Sequence, residues 1–253
     1  MNSSEKIEAY KRLVLDVQNC DKLSDCNYNL KGVQLEKCPF CNEINLWSYW
    51  QGGTAHLNAK ILLVGQDWGN YNDPDSKTLM KSIRLYNDAH NNPCDYLKGN
   101  DNPTDKNLCE LFDSIGIKIN KPNTDVFFTN FVLCYRSGNS GISGGFKQRW
   151  AKNCSSYFIR LVQIIEPKII ICLGRAVFSN VLKAAGIKMP HIKYNDIIES
   201  KVYDAEFGNH ACKVYPVAHC GVLGTNNRNR DKEFSHILDV QKQDWKKMMS
   251  ELK

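Results

Sequence analysis

The segment Lys60-Ile61-Leu62-Leu63-Val64-Gly65-Gln66-Asp67-Trp68-Gly69-Asn70-Tyr71 decides the fold class. Its apolar run does not alternate with polar residues, so it reads as a strand buried on both faces. The run ends abruptly at a glycine, an amide and a carboxylate. A strand of this kind delivers its last residues to the rim of a sheet, where open α/β folds take their ligands. A carboxylate carried there by a rigid strand can be held in catalytic geometry. The plainer reading of Asp67 is a cap for a following helix.

Outward from this segment, similar strands are expected over 60–64, 126–133, 168–173 and 213–217. Helical patterns lie between them, over 76–87, 105–115, 148–165 and 175–185. A first helix is expected over 4–19, with Ile7, Tyr10, Val14 and Val17 on one stripe, and a last one over 231–252. Strands alternating with helices predict a three-layer α/β/α sandwich around a short, mostly parallel central sheet. Pro167 stops the third of the inter-strand helices and Gly174 the strand after it. A small hairpin is expected within 186–212 and a surface loop over 91–103. The chain reads as one domain over 1–253, beginning with a helix and an irregular cysteine-bearing segment within 1–58.

The chain has 253 residues, 42% of them hydrophobic, enough for one large core. Lys and Arg total 33 against 27 Asp and Glu, a net charge of +6 that permits a polyanionic partner without demanding one. Residues 1–10 lack the apolar core of a signal peptide. No run of ~18 apolar residues is present, which argues against a membrane span. A cytoplasmic protein is expected.

Eleven cysteines are many for such a chain. In a reducing compartment they should not form structural disulfides. Cys172, inside an apolar strand, reads as a small buried hydrophobe. Cys38-Pro39-Phe40-Cys41 sets two thiolates one tight turn apart, a spacing suited to a tetrahedral metal or one edge of an iron–sulfur cluster. Cys134 and Cys154 stand 19 intervening residues apart and can be brought together by folding. Cys20 and Cys26 compete with them as ligands, and a redox-inert pair with scattered core cysteines is the plain alternative.

Four landmarks then fall in order, each at an expected strand end. They are Gly65-Gln66-Asp67-Trp68-Gly69; Thr129-Asn130 followed by Cys134-Tyr135-Arg136; Cys154 followed by Pro167-Lys168 and Leu173-Gly174; and Ala218-His219-Cys220-Gly221-Val222-Leu223. Together they resemble the uracil-DNA glycosylase superfamily, and within it the iron–sulfur branch. The resemblance covers about 35–235. Trp68 stands where the family has proline, and Cys220-Gly221 where it has Pro-Ser.

The resemblance implies a monofunctional DNA glycosylase that flips out uracil or a C5-modified pyrimidine and hydrolyses its glycosidic bond. The context would be base repair or defence against modified phage DNA. Asp67 would stabilise the sugar cation or orient the attacking water. His219 would donate to O2 of the departing base. Gly65 and Gln66 would present backbone or amide groups to the base. Asn130 carries a donor and an acceptor in one plane, which matches a pyrimidine edge. Gly69 replaces a tyrosine that blocks C5 in the most uracil-selective branch, and Tyr71 could partly refill the space. Trp68 and Tyr71 are candidates to stack on the flipped base. Leu223 would wedge into the duplex from an intercalating loop, and the polar run 224–230 of that loop, with Arg228 and Arg230, would contact phosphates. The basic, aromatic stretch 143–150 is a further DNA contact. A 4Fe-4S cluster on Cys38, Cys41, Cys134 and Cys154 is implied, with zinc as the alternative. The partner is DNA and the chain is expected to be a monomer. The rival readings are a non-catalytic nucleic-acid-binding module of the same fold and a zinc-stabilised hydrolase of unrelated function.

Overall fold

The computed structural model describes residues 1–36, 53–70, 103–119, 125–137, 146–200 and 202–249. The chain opens with helix α1 (Ser3–Gln18), a short α2 (Leu23–Asn27) and strand β1 (Gln34–Glu36). Then come β2 (Ile61–Gly65), β3 (Trp68–Asn70), α3 (Pro103–Ser114), β4 (Val126–Asn130) and β5 (Tyr135–Ser137). They are followed by α4 (Gln148–Ile165), β6 (Ile169–Leu173), α5 (Arg175–Ala184) and α6 (Tyr194–Ser200). The last elements are β7 (Tyr203–Phe207), β8 (His210–Val217), α7 (Val222–Asn229) and α8 (Asp239–Met248).

The central sheet has the order β4-β2-β6-β8-β7. The first four strands are parallel and β7 runs antiparallel at the edge. Every residue of β2, β4 and β6 is buried, as continuous apolar strands between two helical layers must be. Side chains leave β2 on alternate faces. Leu62 and Val64 join one apolar layer with Tyr10 and Leu13 of α1, Phe158 of α4 and Phe178 of α5. Ile61 and Leu63 join the other, with Leu111 and Phe112 of α3 and Trp245 of α8. This is the expected α/β/α sandwich. Among the described residues no helix is long and apolar enough to cross a membrane.

Two local sequence choices anchor the first face. Asn2 and Glu5 form a reciprocal capping box that starts α1. Glu166 ends α4 in the left-handed conformation at φ 57° just before Pro167, and its carboxylate meets buried Lys6 at 2.9 Å. Lys6 Nζ also donates to the carbonyls of Leu57 and Ile165, so α1 is tied to the end of α4.

The structure departs from expectation in four places. The strand expected over 126–133 breaks after Asn130, and the chain resumes as β5. There β5 pairs with β1 and β3 in a second, three-stranded sheet. The segment before residue 58 is therefore not wholly irregular. The hairpin lies over 203–217 with Gly208 at φ 65° in its turn, and α6 occupies part of 186–212. The polar run after His219 is helix α7 rather than a loop. The last helix starts at Asp239 instead of 231, because Asp231 takes φ 62° and interrupts the chain. The helix expected over 76–87 and most of the loop over 91–103 lie outside the described residues.

Candidate active site

The four parallel strands end on one rim. From β2 the chain passes to β4 on one side, then crosses to β6 on the other, so the strand order reverses at the end of β2. Such a reversal opens a crevice at the carboxyl ends of the strands. Asp67 lies two residues beyond β2, inside that switch point. Asn130, the last residue of β4, is in register with Gly65. His219 lies two residues beyond β8. Gly174 closes β6 between them at φ 91°, and a Cβ built on it would sit 3.7 Å from His219 Cβ. Two strand spacings, about 10 Å, separate the end of β2 from the end of β8.

Asp67 is buried, its side chain 3% exposed. Gln66 Nε2 donates to Asp67 Oδ2 at 2.8 Å, and Arg136 Nε lies 3.2 Å from Oδ1. Burial raises the carboxyl pKa above the ordinary aspartate value, while Gln66 and Arg136 pull it down. Asp67 is thus a carboxylate whose two oxygens are steered by named donors, which a simple helix cap is not. Arg136 arrives through the second sheet, since β5 pairs with β3 and sets Asn70 beside Arg136. Arg136 stands within the second sequence landmark, where nothing in its spacing marks a task for it. The missing signal was spatial, because the pairing of β3 with β5 leaves no trace in spacing.

Asn130 is 2% exposed, and its Oδ1 finds no hydrogen-bond partner among the described residues. A buried acceptor left unpaired costs about 1–3 kcal/mol, which a ligand donor would recover. The backbone around it is fixed. Phe131 N–H donates to the Gly65 carbonyl and Val132 N–H to that of Gln66, so the ends of β4 and β2 are locked together.

His219 is held from two sides, and the residue after it is pinned as well. Gly221 N–H donates to Nδ1 at 2.9 Å, which leaves the ring proton of the neutral imidazole on Nε2. Burial lowers the pKa of His219, favouring that neutral form. A Cβ on Gly224 would lie 2.2 Å from the His219 carbonyl oxygen, so α7 packs against His219 only because Gly224 has none. The next carbonyl, that of Cys220, accepts from Asn107 Nδ2 of α3 at 2.7 Å and from the Thr225 hydroxyl at 3.4 Å. Gln241 of α8 in turn donates to Thr225.

Leu223 stands on the first turn of α7 with 66% of its surface exposed, beside exposed Val222. Arg230 is exposed and donates to Asn227 Oδ1 at 3.2 Å. Arg228 is a correction. Its guanidinium is 2% exposed, forms a two-pronged pair with Asp244 at 2.7 and 2.8 Å, and meets Glu199 at 2.9 Å. It holds α7 to α8 and α6, and its charge is spent internally rather than on phosphate. The helical turn decides this, because 228 falls on the inner face of α7 and 230 just past its end.

Gly69 lies in β3. Tyr71, Cys38 and Cys41 lie outside the described residues, as do residues 143–145 of the stretch 143–150. Cys134 and Cys154 belong to one small apolar cluster with Cys26, Val132 and Trp150. Burial pushes the Cys154 thiol up to about 12, while the Leu133 N–H directed at it works in the opposite sense. Cys26 Sγ is met by Asn153 Nδ2 at 3.3 Å. Two thiols in one dry cluster, one receiving a backbone N–H, suit soft-metal or cluster ligation. Among the described residues no group of three His, Cys, Asp or Glu side chains gathers to hold a metal. Cys20 and Cys26 therefore do not complete a site with Cys134 and Cys154.

A profile described as the uracil DNA glycosylase superfamily matches residues 53–240. The chain is 26% identical over 114 residues to a type-4 uracil-DNA glycosylase of Archaeoglobus fulgidus, covering 45% of this chain and 52% of that protein. It is 24% identical over 196 residues to a type-4 uracil-DNA glycosylase of Saccharolobus solfataricus, covering 76% of this chain and 75% of that protein. The first match spans about half the length of the relative and the second about three quarters.

Proposed function

This chain belongs to the uracil DNA glycosylase superfamily, and from that premise we propose that it is a monofunctional DNA N-glycosylase excising uracil or a C5-modified pyrimidine. One observation carries the reading. Asp67, Asn130 and His219 follow the ends of parallel strands on a single rim, at and beside the point where strand order reverses.

Excision breaks the C1′–N1 bond, and the electron pair leaves on the base. Water oxygen then bonds to C1′ and gives up a proton, and the departing base anion takes up one proton from solvent, which balances the step. The Asp67 carboxylate, oriented by Gln66 and Arg136, opposes the positive charge on the sugar and accepts a hydrogen bond from that water. The neutral His219 ring, with its proton on Nε2, donates to the base O2 as negative charge gathers there. The unpaired Asn130 Oδ1 accepts from N3–H, and the Asn130 amide nitrogen donates to O4. Gly65 and Gln66 line the opposite edge. Leu223 fills the stack that the flipped base vacates, and Arg230 meets the backbone. The products are a free base and an abasic site.

Gly69 supports the wider substrate range, because no side chain there guards C5. Cys38, Cys41, Cys134 and Cys154 would hold a 4Fe-4S cluster, or zinc in its place. The group would fasten the segment before α4 and supply no electron to the reaction. The monomeric enzyme would act on DNA in the cytoplasm, in base repair or against modified phage DNA.

The test is a panel of uracil, 5-hydroxymethyluracil and modified-cytosine DNA with mass analysis of the released base. Free uracil or a C5-substituted pyrimidine with an abasic strand is expected. Release of no base from any member would remove the proposal and leave a DNA-binding module of the same fold.

A further inference from the structure

Helices α4 and α5 flank a groove of about 530 Å³. Arg149, Lys152 and Ser155 line it from α4, and Asn180 and Lys183 from α5. Phe131, the residue directly after Asn130, forms part of its wall, so the groove begins beside the rim. The spacings place these side chains: 149 and 152 are one turn apart, as are 180 and 183. Among the described residues no carboxylate lines the groove.

Asn180 is the informative member. It is 3% exposed in the interior of α5, and its Nδ2 has no hydrogen-bond partner among the described residues. A buried amide donor without an acceptor is costly, and asparagine is in any case disfavoured within a helix. Among the described residues no carboxylate pairs with the three cations around it. Lys152 is exposed and forms no ion pair with a described residue. Lys183 Nζ donates to Gln148 Oε1 at 3.3 Å, a neutral partner that leaves its charge in place. Arg149 Nη1 donates to the Tyr28 carbonyl at 2.6 Å, which orients the guanidinium without compensating it.

Three cations without a carboxylate partner among the described residues, beside one stranded N–H donor, ask for a compact, multiply charged acceptor. We propose that the α4–α5 groove is a phosphate-binding site, with Asn180 Nδ2 and Ser155 donating to the oxygens and Arg149, Lys152 and Lys183 balancing the charge. The phosphate can come from a DNA backbone beside the rim or from free phosphate. The site uses none of the residues assigned to base excision, so an inactive enzyme would leave the inference standing.

The experiment follows the side-chain amide resonance of Asn180 in the full chain. It titrates inorganic phosphate in one arm and a uracil-free single-stranded oligonucleotide in the other. A shift with the oligonucleotide alone identifies a phosphodiester, and a shift with phosphate in either case identifies a site for the free ion. Both support the proposal. Lys152→Gln with Lys183→Gln changes two exposed side chains and leaves the fold intact. The double variant should weaken the ligand that binds and, for the oligonucleotide, reduce the salt slope of binding by about 2. An Asn180 resonance unmoved by both ligands, with unchanged binding by the double variant, overturns it.

Discussion

Arg136 Nε lies 3.2 Å from Asp67 Oδ1, and both side chains are less than a tenth exposed. Two small pieces of strand, β3 and β5, bring them together from the ends of separate sheet strands. The pair sets the pH range over which Asp67 is a carboxylate. Burial raises its pKa and Arg136 lowers it, with burial dominant. Protonated Asp67 cannot oppose the sugar cation, so the rate falls as pH drops through the raised value. Arg136→Gln removes a lowering influence, and the acid limb of kcat/KM should move to higher pH. The stability contribution has the opposite sense: a raised folded-state pKa favours folding at low pH, and that benefit is lost as pH rises through it. The check is a pair of pH–rate profiles, and an acid limb that stays put or moves down rejects the coupling.

Asp67→Asn keeps the shape of the side chain and removes its charge. Excision should fall by at least about 100-fold while uracil-DNA binding persists. Single-turnover kinetics beside a binding titration separate the two, and excision at the native rate would show that the carboxylate has no part in the step.

Gly224→Ala tests whether α7 positions His219. The new Cβ would fall 2.2 Å from the His219 carbonyl oxygen, so the helix or the histidine must move. The expected outcome is a lower kcat together with a lower melting temperature, because the clash is with backbone that cannot swing aside. The Nδ1 resonance should also lose the signature of its 2.9 Å bond from Gly221. His219→Ala should remove about 10²- to 10³-fold in rate, the usual effect of losing one donor to a developing anion. A Gly224→Ala enzyme with native kcat and native His219 shifts would confine Gly224 to packing.

The central sheet was legible because each of its core strands is a short apolar run punctuated by glycine or a polar residue. The rim positions of Asp67, Asn130 and His219 were legible because each ends or follows such a run. The Asp67–Arg136 pair was not, since strands of three residues carry no periodicity to read. Arg228 was misread for a related reason. A polar run containing Gly224 looks like a loop, and only the helix turn reveals which arginine faces inward. The partner, Asp244, is 16 residues away on another helix.

The two arginines should therefore separate cleanly. Arg228→Ala strands buried Asp244 and should cost about 3–5 kcal/mol of stability. Arg230→Ala should leave the melting temperature unchanged and lower the salt slope of DNA binding by about 1. Denaturant unfolding and binding at several salt concentrations decide it. A stable Arg228→Ala protein with a reduced salt slope would return that residue to the DNA surface.

Leu223 exposes 66% of its surface in the free protein, a cost that makes sense if the side chain is buried in a partner. Burial of a leucine contributes about 1.5–3 kcal/mol. Leu223→Ala should thus slow excision from duplex DNA by roughly 10- to 100-fold and leave single-stranded substrate nearly untouched, because no stack needs refilling there. Equal losses on both substrates would deny the wedge.

Cys154 tests the proposed cluster through a property that catalysis does not share. Its thiol is pushed up to about 12 by burial, so only a strongly compensating charge can hold it as thiolate. An iron–sulfur cluster or zinc would supply that charge, and the two differ in colour. Anaerobically purified protein should absorb in the visible through sulfur-to-iron charge transfer. Cys154→Ser and Cys38→Ser should each abolish the band, whereas Cys20→Ser and Cys26→Ser should spare it. The ligand variants should also unfold more readily while keeping His219 in its neutral form, since the proposed cluster would brace the region around Cys134 and Cys154 and not the rim. Colourless protein with one zinc per chain would retain the four ligands and replace iron. Metal-free protein of native stability would remove the site altogether.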